Sequence, residues 1–273
     1  MTLLIVGASG YLGGELCRRA VAAGLPVVGT YHRAPGTPDG VDWQPLDVRD
    51  RAAVRALVGR VRPAAVVNSA SVYGDWAVCA DGAGNVALAS AEAGARLVHI
   101  STDAVHGGRA EPYRDDEVPT PIMAYGAAKA AAETAVRLVA PAAALVRTSL
   151  IVGDERSRQI RRCLDALSPG SGMRMFSDEI RCPVDVSDLA SAVLELVDSD
   201  HAGLLNVAGP DSVSRVELAL LVAGRYGLDP ARLTVGTIAD AGVPRPAVIR
   251  LDSSHAADLL KTRLRGVREL LAG

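Results

Sequence analysis

The feature that most constrains this 273-residue chain lies at its start: a four-residue apolar run, Leu3 to Val6, stops at Gly7 and is followed by Gly10 and Gly13 in the segment Gly7-Ala8-Ser9-Gly10-Tyr11-Leu12-Gly13. So short an apolar run reads as a buried strand, and Tyr11 to Ala23 carries the spacing of a helix that Gly24 ends. A strand, a glycine turn and a helix in immediate succession present free N–H groups and a positive dipole end at the helix start. Glycines at such a turn let a pyrophosphate approach the backbone. The spacing is GxxGxxG rather than GxGxxG, and glycine is common in turns of any kind. Its place after a first strand and before a first helix makes dinucleotide binding the expectation, with Gly7, Ser9, Gly10, Tyr11 and Leu12 as contacts.

The following segments alternate in the same way. Val27 to Tyr31, a run ending near Leu46, Ala64 to Asn68, Arg96 to Ile100 and Ala143 to Thr148 read as strands. Arg51 to Val61, Asn85 to Ala93 and residues 124–139 read as helices, and residues 34–40 as a loop. Continuous apolar strands separated by helices predict an α/β, doubly wound parallel sheet with helices on both faces. After Thr148 the pattern is less regular: residues 154–183 suggest loops and short elements, Ser187 reads as the cap of a helix to about Val197, and Ser214 with Glu217 forms a capping box. The expected division is a Rossmann domain over residues 1–148 and a smaller, partly interleaved C-terminal lobe over 149–273 that binds substrate.

The formal charge of −2 offers none of the basic surface a nucleic-acid binder usually carries. Cys17, Cys79, Cys163 and Cys182 lie far apart, in no metal-ligand spacing, and read as reduced thiols. No metal is expected. Apolar runs end short of a bilayer span, and no basic stretch precedes the first of them, so a cytoplasmic chain away from membranes is expected. Lys129 and Lys261 are the only lysines, which makes a lysine at a functional spacing harder to ascribe to chance.

The second strand ends in Tyr31-His32-Arg33, and no Asp or Glu occurs between Val27 and Pro38. An acidic residue there would grip a ribose 2′-hydroxyl; a guanidinium suits a 2′-phosphate instead. His32 and Arg33 therefore point to NADP(H), the alternative being a solvated surface arginine. Tyr125 and Lys129, four apart at the start of a helix, share one face. An ammonium beside a phenol favours the phenolate, so Lys129 can make Tyr125 a usable acid and also hold the nicotinamide ribose. Tyr125 would then protonate a carbonyl oxygen as hydride arrives. A half-buried tyrosine beside a solvated lysine is the plainer alternative. The fifth strand, however, ends in Ser101-Thr102-Asp103, at the carboxyl edge where open parallel sheets bind ligands. Thr102 can hydrogen-bond the same carbonyl oxygen.

With these residues in view, the chain resembles the extended short-chain dehydrogenase/reductases, and within them the dTDP-4-dehydrorhamnose reductase group of sugar-nucleotide reductases. The shared stretches are GASGYLG at 7–13, LDVRD at 46–50, VVNSAS at 66–71, STDAV at 101–105, EPYRDDEVPTPIMAYGAAKAAAE at 111–133, VRTSLIVG at 146–153, DEIRCPVDVSDLA at 178–190 and RP at 245–246. The resemblance covers nearly the whole length. It implies Thr102, Tyr125 and Lys129 as the catalytic set, Asp47 and Val48 near the adenine, and Ser69, Ala70 and Ser71 along the cofactor. It also implies a nucleotide-sugar substrate and allows a homodimer.

Two departures border the expected substrate pocket. Ala104 and His106 stand where relatives commonly have aromatic residues, and residues 72–84 are shorter and less acidic. Asp103, His106, Arg181 and Arg245 are the candidate substrate contacts; for His106 a loop histidine, and for the two arginines ordinary surface residues, are the alternatives. Ala104 stands where a 4,6-dehydratase has the second acid of its pair, which argues against dehydration. A sugar-nucleotide epimerase, or a non-catalytic NADP(H)-binding subunit of another enzyme, are the remaining alternatives.

Overall fold

The computed structural model describes residues 1–272 and divides into two units: residues 1–102, 124–147 and 190–205 form the first, and 103–123, 148–189 and 206 onward the second. In chain order the elements are β1 (Leu3–Val6), α1 (Tyr11–Ala22), β2 (Val27–Tyr31), β3 (Val41–Pro45), α2 (Arg51–Val61), β4 (Ala65–Asn68), α3 (Gly82–Glu92), β5 (Arg96–Thr102), α4 (Ala124–Val139) and β6 (Ala144–Thr148). There follow β7 (Ile151–Val152), α5 (Arg158–Ala166), β8 (Arg174–Phe176), β9 (Ile180–Arg181), β10 (Val184–Asp185), α6 (Val186–Val197), β11 (Gly203–Asn206), β12 (Val213–Ser214), α7 (Arg215–Tyr226), β13 (Thr234–Gly236), α8 (Ser254–Leu259) and α9 (Val267–Leu270).

The expected doubly wound α/β architecture is present. A seven-stranded parallel sheet has the order β11-β6-β5-β4-β1-β2-β3. Leu4 and Val6 of β1 join Val66, Leu97 and Leu145 in a core closed by Val54, Leu57 and Val58 of α2, Val86 of α3 and Val136 of α4. Because side chains alternate along a strand, Leu3 and Ile5 face the other side, where α1 packs on β1 and β2. The strand order reverses between β1 and β4. That switch point opens a crevice at the carboxyl ends of both strands.

The second unit holds small two-stranded pairs, β7 with β10, β9 with β12 and β8 with β13. Its core gathers Ile160 and Cys163 of α5, Met175, and Leu218, Ala219 and Val222 of α7.

Among the short elements of residues 154–183 is a nine-residue helix at 158–166; the Ser157 hydroxyl accepts the Gln159 and Ile160 amides and starts it. Two features depart from the sequence expectation. Ser187 does not cap α6; Asp185 does, accepting the Ser187 amide at 2.9 Å and the Asp188 amide at 3.2 Å, because a carboxylate two residues upstream reaches the free N–H groups better than a hydroxyl inside the first turn. The edge strand β11 is an addition to the six that the sequence marks. The Ser214–Glu217 capping box is present. The four cysteines are free and buried. Among the described residues no helix is long and apolar enough to cross a membrane, and no His/Cys/Asp/Glu group suits a metal ion.

Candidate active site

The glycine turn is shaped by close backbone approach. Gly7 has φ +81°, and a Cβ there would lie 2.7 Å from the Ala70 Cα. A Cβ on Gly13 would lie 2.7 Å from the Ala8 Cα. Only glycine lets β1, the start of α1 and the Ser69–Ser71 segment come this close. The α1 N-cap is Gly10, with no side chain capping the helix. Its first N–H groups therefore face outward, and the turn makes a cradle suited to a pyrophosphate. Ser9 and Gly10 are exposed and Tyr11 half-buried, while the Leu12 side chain is in the core. The Ser69 hydroxyl donates to the Val6 carbonyl at 2.9 Å, and the Ser71 hydroxyl lies 3.6 Å from the Cys79 sulfur. The first holds the β4 end against the β1 end, and the second ties it to the turn before α3.

At the ends of β2 and β3, His32 and Arg33 are exposed. Asp47 is half-buried and clasped by Arg49, whose side chain donates at 2.9 and 2.7 Å to its two oxygens and whose amide donates at 3.0 Å. The Arg49 hydrogen bonds pull the Asp47 pKa down to about 2. Val48 is buried, its carbonyl accepting from Asn85 at 3.0 Å. Three basic side chains, His32, Arg33 and Arg49, thus end this edge of the sheet.

Thr102 closes β5, and Tyr125 and Lys129 lie one turn apart on α4; all three belong to the first unit. Tyr125 is half-buried, its ring centroid 4.9 Å from that of the exposed Tyr73. Lys129 is 2% exposed and donates to the Ile100 carbonyl at 2.6 Å, two residues before Thr102. Burial lowers its pKa to about 8, against the opposing pull of Cys79 and Glu133. Glu133, the next residue along the same α4 stripe, accepts the Ser101 hydroxyl at 2.5 Å and the Arg147 guanidinium at 3.0 and 2.8 Å. Arg147 is fully buried. Two polar anchors, at Ile100 and at Ser101, therefore fix the face of α4 that carries Tyr125 against the end of β5.

The candidate substrate residues Asp103, His106, Arg181 and Arg245 lie in the second unit. Asp103 is buried and accepts the Ser149 hydroxyl at 2.6 Å. His106 is buried with its ring stacked on Tyr113, centroids 3.9 Å apart, and the Arg109 guanidinium lies 4.2 Å from the Tyr113 centroid. Arg181 is buried; its guanidinium donates to the carbonyls of Ile180, Pro246 and Ala247 at 2.7–3.0 Å, which commits it to holding the loop around Pro246. Arg245, 24% exposed, donates to Glu179 at 2.8 Å. Arg215 donates to the same carboxylate at 2.9 Å, and Arg181 lies 3.7 Å from it. Burial pushes the Glu179 pKa up, but the charges of Arg215, Arg181 and Arg245 outweigh it and hold the group below the usual carboxylate range. Burial lowers the Arg162 pKa, and the charges of Arg215 and Arg245 lower it further.

The model of the RmlD substrate binding domain family matches residues 1–272. The chain belongs to that family. Spore coat polysaccharide biosynthesis protein SpsK of Bacillus subtilis is 33% identical, the match covering 98% of this chain and 95% of that protein. A dTDP-4-dehydrorhamnose reductase of Mycobacterium tuberculosis is 32% identical over 90% of this chain and 81% of its own. Among solved structures, dTDP-4-dehydrorhamnose reductase from Bacillus anthracis, crystallised with NADP, superimposes with a TM-score of 0.81 at 25% identity, covering 99% of this chain and 96% of that one.

Several residues of this RmlD-family site escape a reading by motif. Arg49 has a local signal, since a basic residue two places after an aspartate at a strand end can clasp it. Glu133 extends the Tyr125–Lys129 spacing by one more turn, so it too is visible once the helix is assigned. Asn68, Arg147 and Glu179 lie within the shared stretches, but no local spacing shows their partners, and the same holds for His99 and Arg215. They sit in strands, a loop and the start of α7, with partners distant in sequence.

Proposed function

We propose that this chain is an NADPH-dependent reductase of a carbonyl, and that its substrate is a nucleotide-linked 4-keto sugar. The observation that carries the chemistry is the placement of Lys129: buried on α4 one helical turn beyond Tyr125, and fastened to the carbonyl of Ile100 on the strand that ends in Thr102. The glycine cradle and uncapped α1 fit a dinucleotide pyrophosphate, and His32, Arg33 and Arg49 fit a 2′-phosphate. Asp47, Val48 and Ser69–Ser71 line the same edge of the sheet and would hold the adenine and the remainder of the cofactor. NADPH, when bound, supplies hydride to the substrate carbonyl.

The chain's own residues do the rest. Tyr125 donates its phenolic proton to the carbonyl oxygen, and Thr102 donates a hydrogen bond to the same oxygen and orients it. Lys129 holds the nicotinamide ribose, and its positive charge favours the tyrosinate left after transfer. In the second unit four guanidinium groups, those of Arg162, Arg181, Arg215 and Arg245, answer to Glu179, and Asp103 stands 3.7 Å from Arg181 as a second carboxylate. That surplus of positive charge suits the diphosphate of a nucleotide sugar. Arg245 is the member with an exposed edge, and Arg181 shapes the loop that presents it. Asp103 and His106 shape the segment after Thr102, through Ser149 and Tyr113 respectively. The first unit then serves the cofactor and the second the substrate, and the four free thiols fit a reducing, cytoplasmic setting.

The test is NADPH oxidation with dTDP-4-keto-6-deoxy sugars, followed spectrophotometrically. Tyr125→Phe is expected to lower turnover by roughly 10²–10⁴ while cofactor affinity stays near normal. Thr102→Val should lower turnover alone, and Lys129→Met should lower turnover and cofactor affinity together. Near-normal turnover by Tyr125→Phe on the true substrate would place the acid elsewhere and overturn the assignment.

A further inference from the structure

Beneath Lys129 lies a chain of buried polar groups that the mechanism above leaves unused. The Ala70 amide donates to the Asn68 Oδ1 at 3.2 Å. The Asn68 Nδ2 lies 3.3 Å from the His99 Nδ1. The His99 Nε2 lies 3.3 Å from the Lys129 Nζ. Asn68, His99 and Lys129 are each at most 2% exposed, so no bulk water can mend a mismatch among them.

Donor and acceptor roles along this chain follow from its fixed end. A backbone N–H can only donate, so Asn68 must turn its oxygen to Ala70 and its NH₂ to His99. An amide NH₂ can only donate, so the His99 Nδ1 must accept. His99 is neutral: burial, and then the Lys129 charge, keep its pKa well below the usual histidine value. A neutral imidazole that accepts at Nδ1 carries its proton on Nε2. That N–H is aimed at the Lys129 nitrogen, which can accept it only as a neutral amine. If Lys129 is an ammonium, two donors face each other either at Nε2 or, in the other tautomer, at Nδ1.

We propose that His99 is a positioning residue that sets the protonation state of Lys129: Asn68 turns the Nε2–H of His99 toward the amine, and the chain of bonds is complete only when that amine is neutral. Other groups facing Lys129 act on the same proton. Cys79, on the turn that precedes α3, and Glu133, on α4 itself, raise the Lys129 pKa, whereas burial lowers it. Arg147 neutralises Glu133 from β6, and Tyr125 stands one turn away on α4. Against that background His99 weakens the hold on the proton, so the lysine can release it near neutral pH and take it up again. The consequence for turnover rests on the reading of Tyr125 and Lys129 given above; the protonation chain itself does not.

The measurements use the cofactor-free protein. Because Lys129 and Lys261 are the only lysines, ¹³Cε-lysine NMR gives two titration curves, and long-range ¹H–¹⁵N spectra report the His99 tautomer. The unmodified protein should show neutral His99 with its proton on Nε2, and a Lys129 midpoint of about 8. His99→Leu should raise the Lys129 midpoint by about one pH unit, since it removes the opposing N–H. Asn68→Asp, whose carboxylate accepts from both sides, should move the His99 proton to Nδ1. An Nδ1–H tautomer in the unmodified protein, or an unmoved Lys129 midpoint in His99→Leu, would overturn the proposal. With substrate in hand, His99→Leu should shift the pH profile of kcat in the same direction as the lysine midpoint. Failure of the NMR arm removes the His99 role whatever the chain reduces; absence of ketone reduction, with the NMR arm intact, removes only the proposed activity.

Discussion

Two buried glutamates, one in each unit, meet their arginines in opposite proportions. Glu133 faces one guanidinium and one hydroxyl, with Arg147 fully buried beside it. Arg147 and Ser101 satisfy the hydrogen bonds of Glu133 there, and its charge also reaches Lys129. Glu179 faces Arg215, Arg245 and Arg181, with Arg162 close enough to feel two of them. Asp103, 3.7 Å from Arg181, adds a second carboxylate, and two do not match four cations. The first arrangement fixes a helix; the second holds charge in reserve at the edge of a fold. The contrast teaches that a buried ion pair is informative through its stoichiometry more than through its presence.

Breaking the balanced pair should have the largest effect on the fold. Arg147→Met leaves Glu133 buried with only Ser101, and a broken buried pair costs about 3–5 kcal/mol. Thermal unfolding followed by circular dichroism should show a fall on the order of 10 °C. The double change Glu133→Leu with Arg147→Met should recover most of it, because no uncompensated charge remains. A single variant as stable as the parent would show that the pair bears little of the load assigned to it.

In the unbalanced cluster the same kind of change should act on binding. Arg245→Ala should raise KM for a nucleotide-diphosphate sugar by about ten- to a hundredfold, the value of one charge-assisted contact. Its kcat and melting temperature should change little, since Arg215 still pairs with Glu179. Glu179→Gln should act in the other direction on anions: inorganic pyrophosphate should raise its melting temperature more than it raises the parent's. The variant should also lose part of its sensitivity to acid. Glu179 has a depressed pKa in the folded state, so its contribution is present above the ordinary carboxylate range and is lost as pH falls through the depressed value. Equal pyrophosphate effects in parent and variant would mean the arginines are fully engaged with the fold.

The smallest effect is expected at the cofactor edge. Arg33 is exposed, so its contact is screened by water, and Arg33→Ala should weaken NADPH about tenfold while leaving NADH unchanged. Fluorescence titration with both cofactors measures this. If the loss appears with Arg49→Ala instead, the arginine clasped by Asp47 is the one that reads the 2′-phosphate.

Much of the first unit was legible because its signals are local. An apolar run followed by Gly7, or a capping box at Ser214 and Glu217, lies within a few residues of the structure it specifies. The same holds for Tyr125 and Lys129, since four residues on a helix guarantee a shared face. Even a local signal can mislead by two residues: Ser187 reads as the cap of α6, and Asp185 fills that role. Helix α5 was hidden by the arginines around Ile160, although they occupy the face opposite Ile160, Cys163 and Ala166. Strand β11 has only four residues, and its membership in the sheet depends on β6.

By itself the sequence determined the first six strands and the helices between them, the glycine turn, the basic end of β2, Thr102 at the end of β5 and the one-turn spacing of Tyr125 and Lys129, because each is written in periodicity or short spacing. The tertiary structure alone decided which charges meet. Asn68 on β4, His99 on β5 and Lys129 on α4 lie 31 and 30 residues apart along the chain, and Arg215 and Glu179 are separated by 36. Their proton positions and pairings are fixed by burial, which removes the water that would otherwise satisfy each group separately.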